Sequence, residues 1–257
     1  MGIDDAATVS ARRAALWRLG GALWLLGMPG VVAVVWAVVP PLMAHQALLP
    51  VPLWAMVLLS GLQTALLLAG AVALGVVLAK RVGLGAPAVA AWLQSRPVMP
   101  VLRRQLVPGL CGGLAGAALL CTLSLIAPDT LRPADPGSAM PWAARLLYGG
   151  ITEELLMRWG AMTLLLWLGW RGVQSGRGAP RRALVAVAVG LSALLFALGH
   201  LPAAQALAGA LTPQVVAFVL LGNMAWGLVA GALFARYGLE AAMVAHVLAH
   251  ALSYPFL

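Results

Sequence analysis

Two carboxylates and a guanidinium stand close together in Gly149-Gly150-Ile151-Thr152-Glu153-Glu154-Leu155-Leu156-Met157-Arg158, surrounded by apolar residues. Downstream come Phe196-Ala197-Leu198-Gly199-His200 and His246-Val247-Leu248-Ala249-His250. Carboxylates and imidazoles are the side chains that move protons, orient a water or hold a divalent metal. Glu154 and Arg158 are four apart, so on a helix they share a face and neutralise each other, with the acid N-terminal in the favourable order. Glu153 is turned about 100° from Glu154 at 3.6 residues per turn, which leaves it a different neighbour. That leftover carboxylate is the candidate general base. His246 and His250, also four apart, share a face.

The surroundings make these residues conspicuous. Of the 257 residues 63% are hydrophobic and only 9% charged, a composition that excludes an ordinary water-soluble globule. Apolar runs near 19–39, 53–79, 106–127, 142–170, 182–211, 214–235 and 239–257 are each long enough to cross a bilayer core of about 30 Å. The expected fold is therefore all-α: a polytopic transmembrane bundle of about seven spans, or eight if one segment is split. The first run follows Arg12, Arg13 and Arg18 and is too long for a cleaved signal, so it reads as a retained signal anchor.

Charge sets the expected orientation. The net charge of +9 would suit nucleic acid, but the cations sit in short gaps between apolar runs and form no single basic face. Placing the N-terminus in the cytoplasm puts the cations at 12, 13, 18, 80, 81, 96, 103, 104, 171, 177, 181, 182 and 236 inside. Only Arg132 and Arg145 then fall outside. Residues 87–104, with Trp92, Gln94, Arg96, Arg103 and Arg104, suit a segment along the cytoplasmic interface. The loop from Pro128 to Pro141 carries Asp129, Pro133, Asp135, Pro136 and Gly137 and favours turns on the outer side.

This loop divides a single membrane domain in two. Residues 1–140 read as an N-terminal scaffold with the interfacial segment, in which Gly112 and Gly116 are spaced for close helix packing. Residues 141–257 read as the catalytic core. Glu153, His200 and His246 each lie eleven residues from the outer end of their runs, about 16 Å at 1.5 Å per residue. This presumes that the fifth helix continues past Pro202 as a kink.

Ionisable groups near the bilayer centre are costly, and their default reading is a functional site with partners. Any one of them also serves as helix-packing glue. Five on three helices point to a shared role, whether orienting a water, binding a metal or relaying protons. Tyr148 and Asn223 are further donors nearby, and His45 falls in the first outer loop. Trp17, Trp54, Trp142 and Trp170 mark span ends. Cys111 and Cys121 form no C-x-x-C spacing and imply neither a disulfide framework nor a zinc knuckle. No repeat supports a transporter built from similar halves.

The ordered trio E-E-x-x-x-R, F-x-x-x-H and H-x-x-x-polar, here Glu153-Glu154 with Arg158, Phe196 with His200, and His246 with His250, resembles the family of CAAX prenyl proteases and bacteriocin-processing proteins. The resemblance covers residues 142–257 and departs at His250, where the eukaryotic-type proteases usually carry Asn. It implies an intramembrane endopeptidase in the cytoplasmic membrane of a prokaryote. Glu153 would be the base, His200 and His246 would orient the water, His250 would donate to the oxyanion, and Glu154 and Arg158 would brace the site. A metallo- and a glutamic mechanism both remain open. Zn2+ or another divalent metal would be held by His200, His246 and Glu153, although no H-E-x-x-H is present. The implied partners are membrane lipid and a peptide or protein substrate, prenylated, bacteriocin-like or a membrane anchor, and no nucleic acid. The same residues also admit a proton- or metal-coupled carrier, or a non-catalytic immunity or scaffold protein.

Overall fold

A computed structural model describes residues 3–44, 51–132 and 140–256. His45, the turn residues Pro133, Asp135, Pro136 and Gly137, and the side chain of Arg12 fall outside what it describes. The described residues are mostly helical, joined by short turns, with no strand among them. Five segments are long and apolar enough to cross a membrane: Arg13–Pro40, Leu53–Val82, Met99–Ile126, Arg182–Ala208 and Pro213–Tyr237.

Helix α1 spans Ile3–Ala44, α2 Leu53–Leu78, the short α3 Pro87–Leu93 and α4 Met99–Ile126. The expected interfacial stretch 87–104 is thus split. Only α3 lies apart, burying Ala88 and Ala91 and exposing Trp92, whereas Arg103 and Arg104 belong to the start of α4. The cause is local: Pro100 sits in the first turn of α4, where its missing N–H costs nothing, and nucleates the helix ahead of the apolar run.

The next segment is helical over residues 142–174 but not plainly α. Helix α5 covers Trp142–Ala144, two π-helical stretches cover Arg145–Thr152 and Leu155–Met162, and α6 covers Thr163–Gln174. Glu153 and Glu154 are the two residues between the π stretches. The hydroxyls of Thr152 and Thr163 donate to the carbonyls five residues back, Leu147 and Arg158, adding side-chain bonds with the π spacing. A run of i→i+5 bonding is rare and gathers at functional sites.

Helix α7 spans Arg182–Gly199, α8 Leu201–Ala208, α9 Pro213–Tyr237 and α10 Leu239–Ser253. The fifth span continues past Pro202 as a kinked segment, as expected, but ends at Ala208 and not at Leu211. The helix stops at Gly199 and restarts at Leu201 with Pro202 in its first turn, leaving His200 at the joint. Pro202 has no N–H to offer the carbonyl one turn back, which permits the break. The run expected over 239–257 is also shorter as a helix: 15 residues of α10 and a 3-10 turn, Tyr254–Phe256. At 1.5 Å per residue α10 covers about 22 Å, less than a bilayer core. The two expected spans missing from the five long apolar ones are therefore those that carry the Glu pair and the His pair.

Glycines hold the bundle together where hydrophobic burial gives little driving force in lipid. On α4, Gly109, Gly112, Gly113 and Gly116 face α10 and α9. A Cβ at Gly113 would lie 2.7 Å from Leu248 Cβ, and one at Gly112 would lie 2.6 Å from Leu233. Gly30 of α1 lies against Thr152, and Gly75 of α2 against the Trp159 ring. Two directed bonds lock the same contacts, Thr152 Oγ1 to the Gly27 carbonyl at 2.7 Å and Trp159 Nε1 to the Val72 carbonyl at 3.2 Å. The N-terminal helices thus clamp the π segment from one side and α10 from the other.

Candidate active site

The fold brings all six candidate residues to one place. Glu154 is fully buried and accepts from His246 Nδ1 at 2.7 Å through one carboxylate oxygen. Its other oxygen lies 3.3 Å from Arg158 Nε. The guanidinium donates through Nη2 to the Gly227 carbonyl at 3.4 Å and sits over the Phe196 ring, 4.8 Å from its centroid. One carboxylate thereby joins the π segment, α9 and α10. Charges this deep are tolerated only when paired.

Glu153 faces elsewhere. Its Oε1 lies 4.0 Å from His200 Nε2, and the two side chains are 17% and 33% exposed against 0% for Glu154. That separation is too long for a direct hydrogen bond and short enough for one water between them. His200 Nδ1 lies 2.8 Å from the Phe196 carbonyl, which only accepts, so Nδ1 carries a proton and Nε2 faces Glu153. His246 Nδ1 likewise donates to the Glu154 carboxylate. Phe196 supports both rings: it is edge-on to His200 at 4.6 Å between centroids and to His246 at 6.4 Å.

His250 stacks on His246 with centroids 4.9 Å apart and planes 23° from parallel. Its approach depends on Gly149, where a Cβ would lie 2.8 Å from His250 Nε2 and 3.8 Å from Glu153 Oε2. Beside it, a Cβ at Gly150 would meet Val247 of α10. The Gly149-Gly150 pair is thus the gap through which α10 reaches the acidic pair. Of the two further donors expected nearby, Asn223 Nδ2 donates to the Val219 carbonyl of its own helix at 2.8 Å, and Tyr148 is half-buried in the first π stretch.

Two residues of this region escape the sequence reading. Trp226 of α9 is 6% exposed and its ring centroid lies 4.7 Å from that of His246. It sits three residues after Asn223 on the same helical face, the one sequence signal that points to it. Glu240, in the first turn of α10, accepts from the backbone N–H groups of Ala88 and Val89 at 2.8 and 2.9 Å and from Gln105 Nε2 at 3.2 Å. It fixes the start of the helix that carries both histidines against α3 and α4.

A metal was one of the expected possibilities. Among the described residues no three His, Cys, Asp or Glu side chains converge closely enough to hold an ion. Among the described residues, most of the buried side-chain polar atoms without a hydrogen bond nevertheless lie here: Glu154 Oε2 and Arg158 Nε, which face each other as an ion pair, and Arg158 Nη1, Trp226 Nε1 and His250 Nδ1. Such atoms are costly to leave unpaired, and their clustering marks a place built to receive polar groups.

Comparison with curated proteins and with solved structures finds no match. Residues 135–252, which contain every residue of this cluster, match the family described as type II CAAX prenyl endopeptidase, Rce1-like. Over that stretch, somewhat under half of its length, the chain is similar to the CAAX prenyl endopeptidases.

Proposed function

We propose that the protein is an intramembrane endopeptidase in which Glu153 activates a water held between its carboxylate and His200 Nε2. The observation that carries this reading is the division of labour in the acidic pair. Glu153 and His200 are the accessible partners, while Glu154 is enclosed with Arg158 and His246.

In this mechanism Glu153 accepts a proton as the water oxygen bonds to a peptide carbonyl carbon. The carbonyl oxygen gains the negative charge, and His250, beside Gly149, donates to it. Collapse of the tetrahedral intermediate breaks the C–N bond, and the proton held on Glu153 goes to the departing nitrogen. The products are one carboxylic acid and one amine. His200, fixed by the Phe196 carbonyl, orients the water, and His246 is held by the Glu154–Arg158 pair so that its ring supports His250. No step is routed through a metal.

The relatives named in the family description act on prenylated CAAX termini. For this chain the corresponding substrate is a membrane-associated peptide cut near its C-terminus, and the protein is placed with its N-terminus in the cytoplasm. A fluorescence-quenched peptide ending in a prenylated cysteine, two aliphatic residues and a terminal residue, presented to reconstituted protein, tests the assignment. Glu153→Gln is expected to lower kcat by at least ~10³, a loss of general-base assistance together with water placement. Retention of more than a tenth of wild-type kcat would contradict Glu153 as the base.

A further inference from the structure

Helix α9 packs the Trp226 indole against the His246 ring, 4.7 Å between centroids. Indole Nε1–H donates and never accepts. Trp226 Nε1 is buried with no hydrogen-bond partner among the described residues, and an unmet buried donor is seldom kept without a use. Trp167 Nε1, on α6, shares that lack, but it makes no aromatic contact with the histidines, whereas Trp226 lies 4.7 Å from His246.

The ring's orientation follows from what holds it. A Cβ at Gly116 of α4 would lie 2.5 Å from Cζ3 of Trp226 and 3.0 Å from Cε3, so that edge of the indole rests on α4. Nε1 is attached across the six-membered ring from Cζ3 and is therefore turned away from α4. The backbone is equally constrained. The neighbouring Gly227 carbonyl accepts from Arg158, and a Cβ at Gly227 would lie 2.8 Å from Ala193 of α7. The donor is held from both sides and has little freedom to seek another acceptor.

We infer that Trp226 Nε1–H is a substrate-binding group of the catalytic site, donating to a backbone carbonyl oxygen of the bound peptide beside the bond that is cut. This rests on the peptidase reading and extends it. The site then offers two fixed donors to the substrate, His250 from α10 and Trp226 from α9, whose ring centroids lie 4.9 and 4.7 Å from that of His246. A donor-only group suits a carbonyl and rejects an incoming N–H, so it also favours one strand direction for the peptide.

The test uses full-length protein in liposomes with the same quenched peptide. Trp226→Phe keeps an aromatic ring but no N–H. Replacing Trp226 with 3-benzothienylalanine keeps the bicycle and puts sulfur where the N–H was. Both are expected to lower kcat/KM at least tenfold with the thermal midpoint within 2 °C, roughly the error of such scans. Glu153→Gln serves as the control. If Glu153→Gln is inactive and the benzothienyl variant keeps more than half of wild-type kcat/KM, the donor role is wrong and the peptidase reading stands. If Glu153→Gln is as active as wild type, or wild type does not cut the peptide, both readings fall. If Trp226→Phe unfolds, the benzothienyl variant alone decides.

Discussion

At the scale of single residues, two adjacent glutamates of identical chemistry sit in opposite environments. Glu154 bonds to His246, forms an ion pair with Arg158 and has no exposed surface, whereas Glu153 lies 4.0 Å from His200 and keeps an open edge. Their substitutions should therefore separate. Glu154→Ala strands the buried Arg158 guanidinium and frees the His246 ring, and breaking a buried pair in this way costs about 3–5 kcal/mol. Thermal unfolding in detergent should show a lower midpoint for Glu154→Ala and a midpoint near wild type for Glu153→Gln. Equal midpoints for the two variants would mean that Glu154 does not brace the site. The motif spacing made this split legible, because consecutive helical residues diverge by about 100°. Trp226 and Glu240 were not picked out. Trp226 has no local signal beyond its spacing from Asn223, and the partners of Glu240 lie on helices distant in sequence.

At the scale of elements, the helices that carry the chemistry are those that depart from a plain apolar span. The π stretches on either side of Glu153 and Glu154, the joint at His200 and the short α10 each sacrifice regular helix geometry to aim a side chain. Hydropathy reports that a run is apolar, and the five long spans followed from it. It carries no signal for i→i+5 bonding, so the π segment had no counterpart in the sequence reading, whereas Pro202 announced the joint before Leu201 as a kink. The Gly149-Gly150 pair shows how tightly the elements are matched. A methyl at Gly149 would lie 2.8 Å from His250 Nε2, inside van der Waals contact, and must push that ring away from its place beside Glu153. Gly149→Ala is expected to lower kcat by ~10² or more, the cost of a misplacement of about 1 Å, with KM changing less. A kcat within threefold of wild type would show that the ring position is not critical.

At the scale of the whole molecule, the first 132 residues do more than fill the membrane. Thr152 bonds to Gly27 of α1, Trp159 to Val72 of α2, α10 packs on the glycine face of α4, and Glu240 caps α3. The family resemblance covers only 135–252, yet the positions of its residues are set by helices outside that range. The ends rich in Arg and Lys support the proposed N-in orientation through the positive-inside rule. All of this converges on one claim, that the enclosed cluster hydrolyses a peptide bond inside a membrane protein. The most direct measurement is mass spectrometry of the quenched prenyl peptide after incubation with proteoliposomes in H2 18O. The account predicts a single internal cut, both fragments recovered intact, one 18O in the newly formed carboxylate, and no cut by Glu153→Gln. An uncut peptide, or a ladder of residues removed one at a time from the end, would contradict it.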